Sequence, residues 1–465
     1  MSIPLTELRV AIIGSGPAGF YAAESLQKAA PGVQITMFDR LPTPFGLVRG
    51  GVAPDHPKIK SVSRVFDRIA SQPGFRFVGH VTVGEDLSHE QLRQHFDAVI
   101  YAVGAELDRH LDIPGEFLEG SHSATELVGW YNGHPSYADR RFDLAQQSAA
   151  VIGIGNVAMD TTRILLTPAD QLAGTDLAAT ALAELGTSRL NAVHILARRG
   201  PVQAACTTPE LKELGEIPGV DVIVDPADLD LDPISARHLA EDHDRTTENN
   251  IALFRHWAER GSTDAPRRIV FHFCVSPLEL IGEGRVAVLR VVRNQLVPDG
   301  RGSVRAEPTD AIREVPVGLI FRSVGYRGTA IAGLPFDQQR GIVPNASGRV
   351  VESPGSATFV RGVYVCGWIK RGPHGIIGTN KTDAAETVDH LLADAVSGRL
   401  APASGSPALL DQELADAGVD VTTWADWVVL DQAERDRGAQ AGRPREKIVS
   451  VPEMLAAIHA ARAAR

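Results

Sequence analysis

Apolar runs of strand length recur along this chain and alternate with longer stretches of helical spacing. Residues 10–13, 34–38, 98–104, 149–152, 192–197 and 362–366 are such runs, and none carries Lys, Arg, Asp or Glu. That is the pattern of strands covered on both faces, as in a parallel sheet. Residues 20–30 have helical spacing and no breaker, and 61–71, 159–166, 207–214 and 250–260 read as further helices. In the helix at 207–214, Thr208 is the expected cap, with Pro209 in the first turn. Residues 167–190 form a helical excursion before the strand at 192–197, and 76–83 read as strands or a hairpin. Residues 269–275, 286–295 and 317–324 return to strands, and a helix is expected from about Thr382. Beyond residue 400 a linker precedes helical patches in which Trp424 and Trp427 are packing residues. The alternation predicts an α/β fold.

Between the first strand and the first helix stands Gly14-Ser15-Gly16-Pro17-Ala18-Gly19, and the second strand ends on Asp39. Strand, G-x-G-x-x-G, helix, strand and acid make the dinucleotide-binding βαβ unit. The first glycine allows the tight turn, and Gly16 lets the backbone approach a pyrophosphate. Gly19 brings helix and strand together, while the helix N-terminus offers free N–H groups to the phosphates. Asp39 is placed to accept from a ribose hydroxyl. Position alone does not choose between FAD and NAD.

The unit occurs twice. Residues 149–152 run into Gly153-Ile154-Gly155-Asn156-Val157-Ala158, with alanine in the third glycine position. Two such units argue for two dinucleotides. The strand after the second turn ends not on an acid but on Arg198-Arg199. Arginines there are placed to bind a 2′-phosphate, which favours NADP over NAD.

Length and charge narrow the reading. At 465 residues the chain can divide into two or three domains. A formal net charge of −11 argues against nonspecific nucleic-acid binding. No apolar stretch is long enough to predict a membrane span. With a strand expected by residue 10, no signal or transit peptide is expected either. Cys206, Cys274 and Cys366 are far apart and form no C-x-x-C, so neither a redox disulfide nor a metal or iron–sulfur site is expected. They read as buried thiols in a cytoplasmic protein.

Residues 41–58 hold four prolines and three glycines among apolar residues, a stiff loop suited to packing against a flat ligand. Within it, Gly-Leu-Val-Arg at 46–49 and Gly-Val-Ala-Pro-Asp-His-Pro at 51–57 resemble the adrenodoxin reductase family of NADPH–ferredoxin reductases. Gly-Trp-x-x-Arg-Gly-Pro-x-Gly-x-Ile-Gly-Thr-Asn from Gly367 to Asn380 is also close to that family's pattern. The resemblance covers nearly the whole chain. It implies two Rossmann-type domains: an FAD domain over residues 1–108 and 326–465 with an NADP domain, 109–325, inserted in it.

The resemblance puts flavin contacts at Leu47, Val83, Trp368, Gly375, Ile376 and Ile377, with Gly375 also near the nicotinamide, and an NADP contact at Glu210. His56, in that family's Pro-Asp-His-Pro loop, Asp160, in its Gly-Asn-Val-Ala-x-Asp helix, and Glu213, one turn on from Glu210, are the expected polar cluster at the hydride step. The family usually has glutamate where Asp39 stands. The implied activity is hydride transfer from NADPH to FAD, then single electrons to a ferredoxin serving a cytochrome P450 or another acceptor. Arg237, Arg245, Arg255, Arg260, Arg267 and Arg268 are the candidate ferredoxin-docking cluster. Two other readings stand beside this one: a reductase subunit of glutamate-synthase type, and a slow flavin-binding sensor.

Overall fold

The computed structural model describes residues 3–241, 244–300 and 302–464. They divide into two compact units. One joins the residues up to Asp108 to those from Gly325 onward, and the other is Arg109–Val324.

The first unit is organised by the strand Arg9–Ile13. It lies inside a seven-stranded sheet in the order Asn345–Ala346, Arg349–Val351, Phe359–Val365, Ala98–Tyr101, Arg9–Ile13, Gln34–Phe38, Phe75–Val78. The last five run parallel. Alternation along the central strand feeds two cores. Val10 and Ile12 pack with Ile35, Met37 and the helices Pro17–Ala29 and Thr379–Val396. Ala11 and Ile13 pack with Phe38, Val99 and Tyr101 on the other face. Each fully buried Phe or Leu contributes roughly 1.5–3 kcal/mol. Phe20 stacks on Phe66 at 4.7 Å between ring centroids, and Phe45 meets Trp427 edge-on at 5.5 Å. Trp427 is buried and Trp424 packs against the same core.

The second unit holds a six-stranded parallel sheet in the order Ser121–Ser123, Leu319–Arg322, Ser148–Ile152, Ala192–Leu196, Arg267–His272, Val220–Ile223. The excursion before Ala192 contains the short helices Ala169–Leu172 and Ala179–Leu185. A three-stranded antiparallel sheet, Val275–Ile281, Val288–Pro298 and Val304–Pro316, completes the unit.

Several expected boundaries move. The strand expected at 269–275 breaks at Cys274, whose φ is 51°. The strand Val304–Pro316 has no sequence signal: most of its side chains are exposed, and backbone pairing to Val288–Pro298 defines it. Thr207, not Thr208, is the cap residue of the helix Thr208–Leu214. The late helix begins at Thr379, and a one-turn helix, Trp368–Arg371, precedes it. The proline-rich loop also contains one helical turn, Leu47–Gly50.

Candidate functional site

The two glycine turns have the same construction. Gly14 has φ +104°, and a Cβ there would lie 2.5 Å from the Ala102 carbonyl oxygen. Gly153 has φ +129°, and its Cβ would strike the carbonyl of Ser323. Only glycine fits either place. Two residues on, the situation reverses. Nothing lies within 4 Å of a Cβ built on Gly16 or on Gly155. At the third position, a Cβ on Gly19 would strike the Gly14 carbonyl, whereas Ala158 is accommodated and fully buried. No side chain caps the helix N-terminus that follows either turn. First-turn N–H groups, open space and a partial positive charge are what a pyrophosphate requires. Both turns therefore fit dinucleotides.

Around the first turn, Asp39 acts as a tether. Its carboxylate accepts from the Ser15 N–H at 3.0 Å, from the Ser15 hydroxyl, and from the Leu41 N–H at 2.9 Å. About one of its four lone-pair positions is left for a ribose. The loop folds over the turn: the Phe45 N–H donates to Ser15 O at 3.0 Å, and a Cβ on Gly46 would come 3.0 Å from Gly16 Cα. Leu47 stays 48% exposed while Val48 is buried as an anchor. Arg49 makes a fork to Glu434, which is fully buried and also takes Arg445 at 3.0 Å and the Ile448 N–H at 3.0 Å.

The late segment meets the same turn, for a Cβ on Gly367 would lie 2.6 Å from Ala18 Cβ. Asp383 accepts from the Gly367 N–H and pairs with Lys370 and Arg371. Arg371 donates to Asn380, and Asn380 donates to Ile377 O at 3.2 Å. Trp368 stacks on Tyr326, 5.7 Å apart and 19° from parallel. Gly375 has φ +86°, Ile376 is 65% exposed, and Ile377 packs partly into the core. Leu47, which follows the Gly46 packed on Gly16, and Ile376 are exposed apolar side chains of the kind that suit a flat aromatic ring. Val83 is half-buried in a bridge to Leu87. His56 is half-buried at the N-cap of Pro57–Lys60.

In the second unit, Asn156 holds the helix Thr208–Leu214 against the glycine turn by accepting from the Thr207 N–H at 2.8 Å. Thr207 in turn donates to Glu210. Ile154 and Val157 are half-buried at the turn. Asp160 and Glu213 are joined by Arg163, whose guanidinium reaches Asp160 at 2.8 Å and Glu213 at 3.1 Å and is only 5% exposed. Sequence reading missed Arg163, although three residues from Asp160 on a helix is the spacing of a same-face pair. His56 belongs to the first unit, so only Asp160 and Glu213 of the expected cluster share one unit. Arg198 is exposed and Arg199 half-buried. Burial and the neighbouring Arg198 charge lower the Arg199 pKa, opposed by Asp299.

Cys206 and Cys366 are buried, and burial pushes the Cys206 thiol up to about 12 and the Cys274 thiol up to about 11. No helix among the described residues is long and apolar enough to cross a membrane.

Residues 8–214 match the pyridine nucleotide-disulphide oxidoreductase family. The NADPH-ferredoxin reductase FprA of Mycobacterium tuberculosis is 48% identical over 457 residues, covering 96% of this chain and 98% of that protein. The mitochondrial NADPH:adrenodoxin oxidoreductase of Arabidopsis thaliana is 39% identical, covering 97% of this chain and 95% of its own. The solved structure of M. tuberculosis FprA in complex with NADPH superimposes with a TM-score of 0.91 at 46% identity, covering 97% of this chain and 99% of that one.

Proposed function

The chain belongs to the pyridine nucleotide-disulphide oxidoreductases, and among them to the NADPH–ferredoxin reductases of adrenodoxin reductase type, and we propose from that premise that it carries electrons from NADPH through FAD to a ferredoxin. The first unit holds FAD and the second holds NADP. Bound FAD supplies the exchange between a two-electron hydride donor and a one-electron acceptor. The residues of this chain bind and orient. Gly14, Gly16, Ala18 and Gly19 receive one pyrophosphate, and Ile154, Gly155, Asn156 and Val157 the other. Leu47, Val83, Trp368 and Gly375 to Ile377 line the ring. Arg198 and Arg199 take the 2′-phosphate, and Glu210 contacts the same coenzyme. Asp160 and Glu213, fixed by Arg163, and His56 in the first unit are the polar groups assigned to the hydride step, where a positioned ring nitrogen or carboxylate handles the accompanying proton. The three thiols are unpaired, which suits a reducing cytoplasm.

One observation carries this reading: the same glycine turn is built twice, jammed at its first position and open at its second. The test is direct. The purified protein should show flavin absorbance that NADPH bleaches, and it should reduce ferredoxin faster with NADPH than with NADH. Bleaching by NADPH with no ferredoxin accepting electrons would favour the sensor reading.

A further inference from the structure

Coenzyme choice in this chain has a support that no motif reveals. The residues assigned to the 2′-phosphate, Arg198 and Arg199, stand on a bend after the strand Ala192–Leu196, outside regular structure. Two like charges side by side repel each other. A bend carrying them needs its backbone held from elsewhere if both guanidinium groups are to stay beside one phosphate.

That hold comes from the antiparallel sheet. Asn294 sits on Val288–Pro298 at a register shift in its pairing with Val304–Pro316. Its side chain is 4% exposed, and its Nδ2 donates to Arg198 O at 2.8 Å and to Ser276 Oγ at 2.8 Å. Its main-chain N–H donates to Cys274 O at 2.7 Å, and the Cys274 N–H donates to Arg199 O at 3.0 Å. Both arginine carbonyls are thus fixed by one residue and its hydrogen-bonded neighbour. Cys274 itself sits at a positive φ of 51°. Meanwhile Asn294 Oδ1 is buried with no hydrogen-bond partner among the described residues. An unsatisfied buried amide oxygen opposes stability. A residue chosen for stability alone would be apolar there, so the two N–H bonds are the reason for an amide.

We infer that Asn294 is a positioning residue for coenzyme selectivity, holding the Arg198-Arg199 bend so that both side chains meet a 2′-phosphate. The inference rests on the assignment of those arginines to NADP. Its reach is limited to ligands bearing that phosphate, since nothing in the contact set of Asn294 touches the glycine turn.

The test compares equilibrium binding of adenosine 2′,5′-bisphosphate and of 5′-AMP by titration calorimetry on the flavin-loaded protein, beside kcat/KM for NADPH and NADH. In Asn294→Ala the bisphosphate-to-AMP affinity ratio should fall about tenfold, the worth of one buried hydrogen bond. The NADPH-to-NADH ratio should fall with it, the change residing in KM for NADPH. Asn294→Asp, isosteric but unable to donate, should fall further and serves if the alanine variant does not fold. The double variant Arg198→Ala/Arg199→Ala is measured in parallel. If it loses the preference while both Asn294 variants keep it, the inference is overturned and the arginine assignment stands. If the double variant keeps the preference, assignment and inference fall together.

Discussion

Gly14 and Gly16 stand two residues apart and are glycine for opposite reasons. A side chain on Gly14 meets the protein's own backbone, whereas one on Gly16 meets empty space. Gly16 has φ −76°, which any residue adopts. Gly16→Val should therefore fold and melt as the flavin-stripped parent does, and purify with little flavin, because valine fills only the ligand's space. Absorbance per chain and a thermal melt separate the two effects, and a full complement of FAD would remove Gly16 from the site. Arg163 gives a second test. Arg163→Met leaves Asp160 and Glu213 without their shared cation. The expected loss is roughly 2–3 kcal/mol, less than for a fully buried pair because Glu213 is partly exposed. Denaturant midpoints would show it, and flavin reduction by NADPH in stopped flow should slow. Equal midpoints and rates in the variant would leave the arginine with no role. The glycines were legible because a backbone requirement permits one residue type at a fixed spacing. Arg163 was not, because an arginine in a helix reads as surface until its burial is known. Asp39 was legible as an acid at a strand end, but its contacts to Ser15 and Leu41 were not.

Elements were legible where periodicity reflects burial and lost where it does not. The strand Arg9–Ile13 and the helix Pro17–Ala29 bury their apolar residues and announce themselves. Val304–Pro316 buries almost nothing, so its alternation is absent and only its partner strand reveals it. Among helices, Trp424–Gln440 has a task beyond packing. Its Glu434 clamps Arg49, the last side chain before Gly50 and Gly51 in the proline-rich loop. Burial pushes the Glu434 pKa up, but Arg49, Arg445 and the Ile448 N–H more than offset this and leave it below the usual glutamate range. Asp221 behaves alike, held at about 2 by hydrogen bonds from Thr263, Ser262 and Ala265 despite its burial. Folded values below unfolded ones mean the stabilisation is complete above pH about 4.5 and drains as pH falls through the folded values. Stability measured by denaturant should thus be level near neutrality and decline below that point. In Glu434→Gln the decline should be shallower from a lower plateau. An identical acid limb in parent and variant would contradict the clamp.

At the scale of the whole molecule, the charge of −11 opposes an acidic ferredoxin, so docking requires a local basic surface. The six arginines suggested by sequence are not equivalent. Arg267 is committed to the carbonyls of Leu166 and Pro218, and Arg260 lies 3.9 Å from Asp221. Arg237, Arg245, Arg255 and Arg268 are exposed. Charge reversal at Arg245 and Arg255 should raise KM for ferredoxin while leaving reduction of a neutral quinone unchanged. Ferredoxin turnover should also drop between 0.01 and 0.1 M salt, as the Debye length shrinks from about 30 to about 10 Å. An unchanged salt profile in the reversed variant would exclude this surface. The chain's route carries a further consequence. It leaves the first unit at Asp108 and returns at Gly325, and the two crossings are paired, Leu107 with Arg327 and Asp108 with Tyr326. The strand Phe359–Val365 must come back to lie beside Ala98–Tyr101 before the first sheet is whole. During synthesis the ribosome therefore releases every residue of Arg109–Val324 before it has made that strand. The unit begun second is the first able to finish, and the opening hundred residues wait as an incomplete sheet until the return strand emerges.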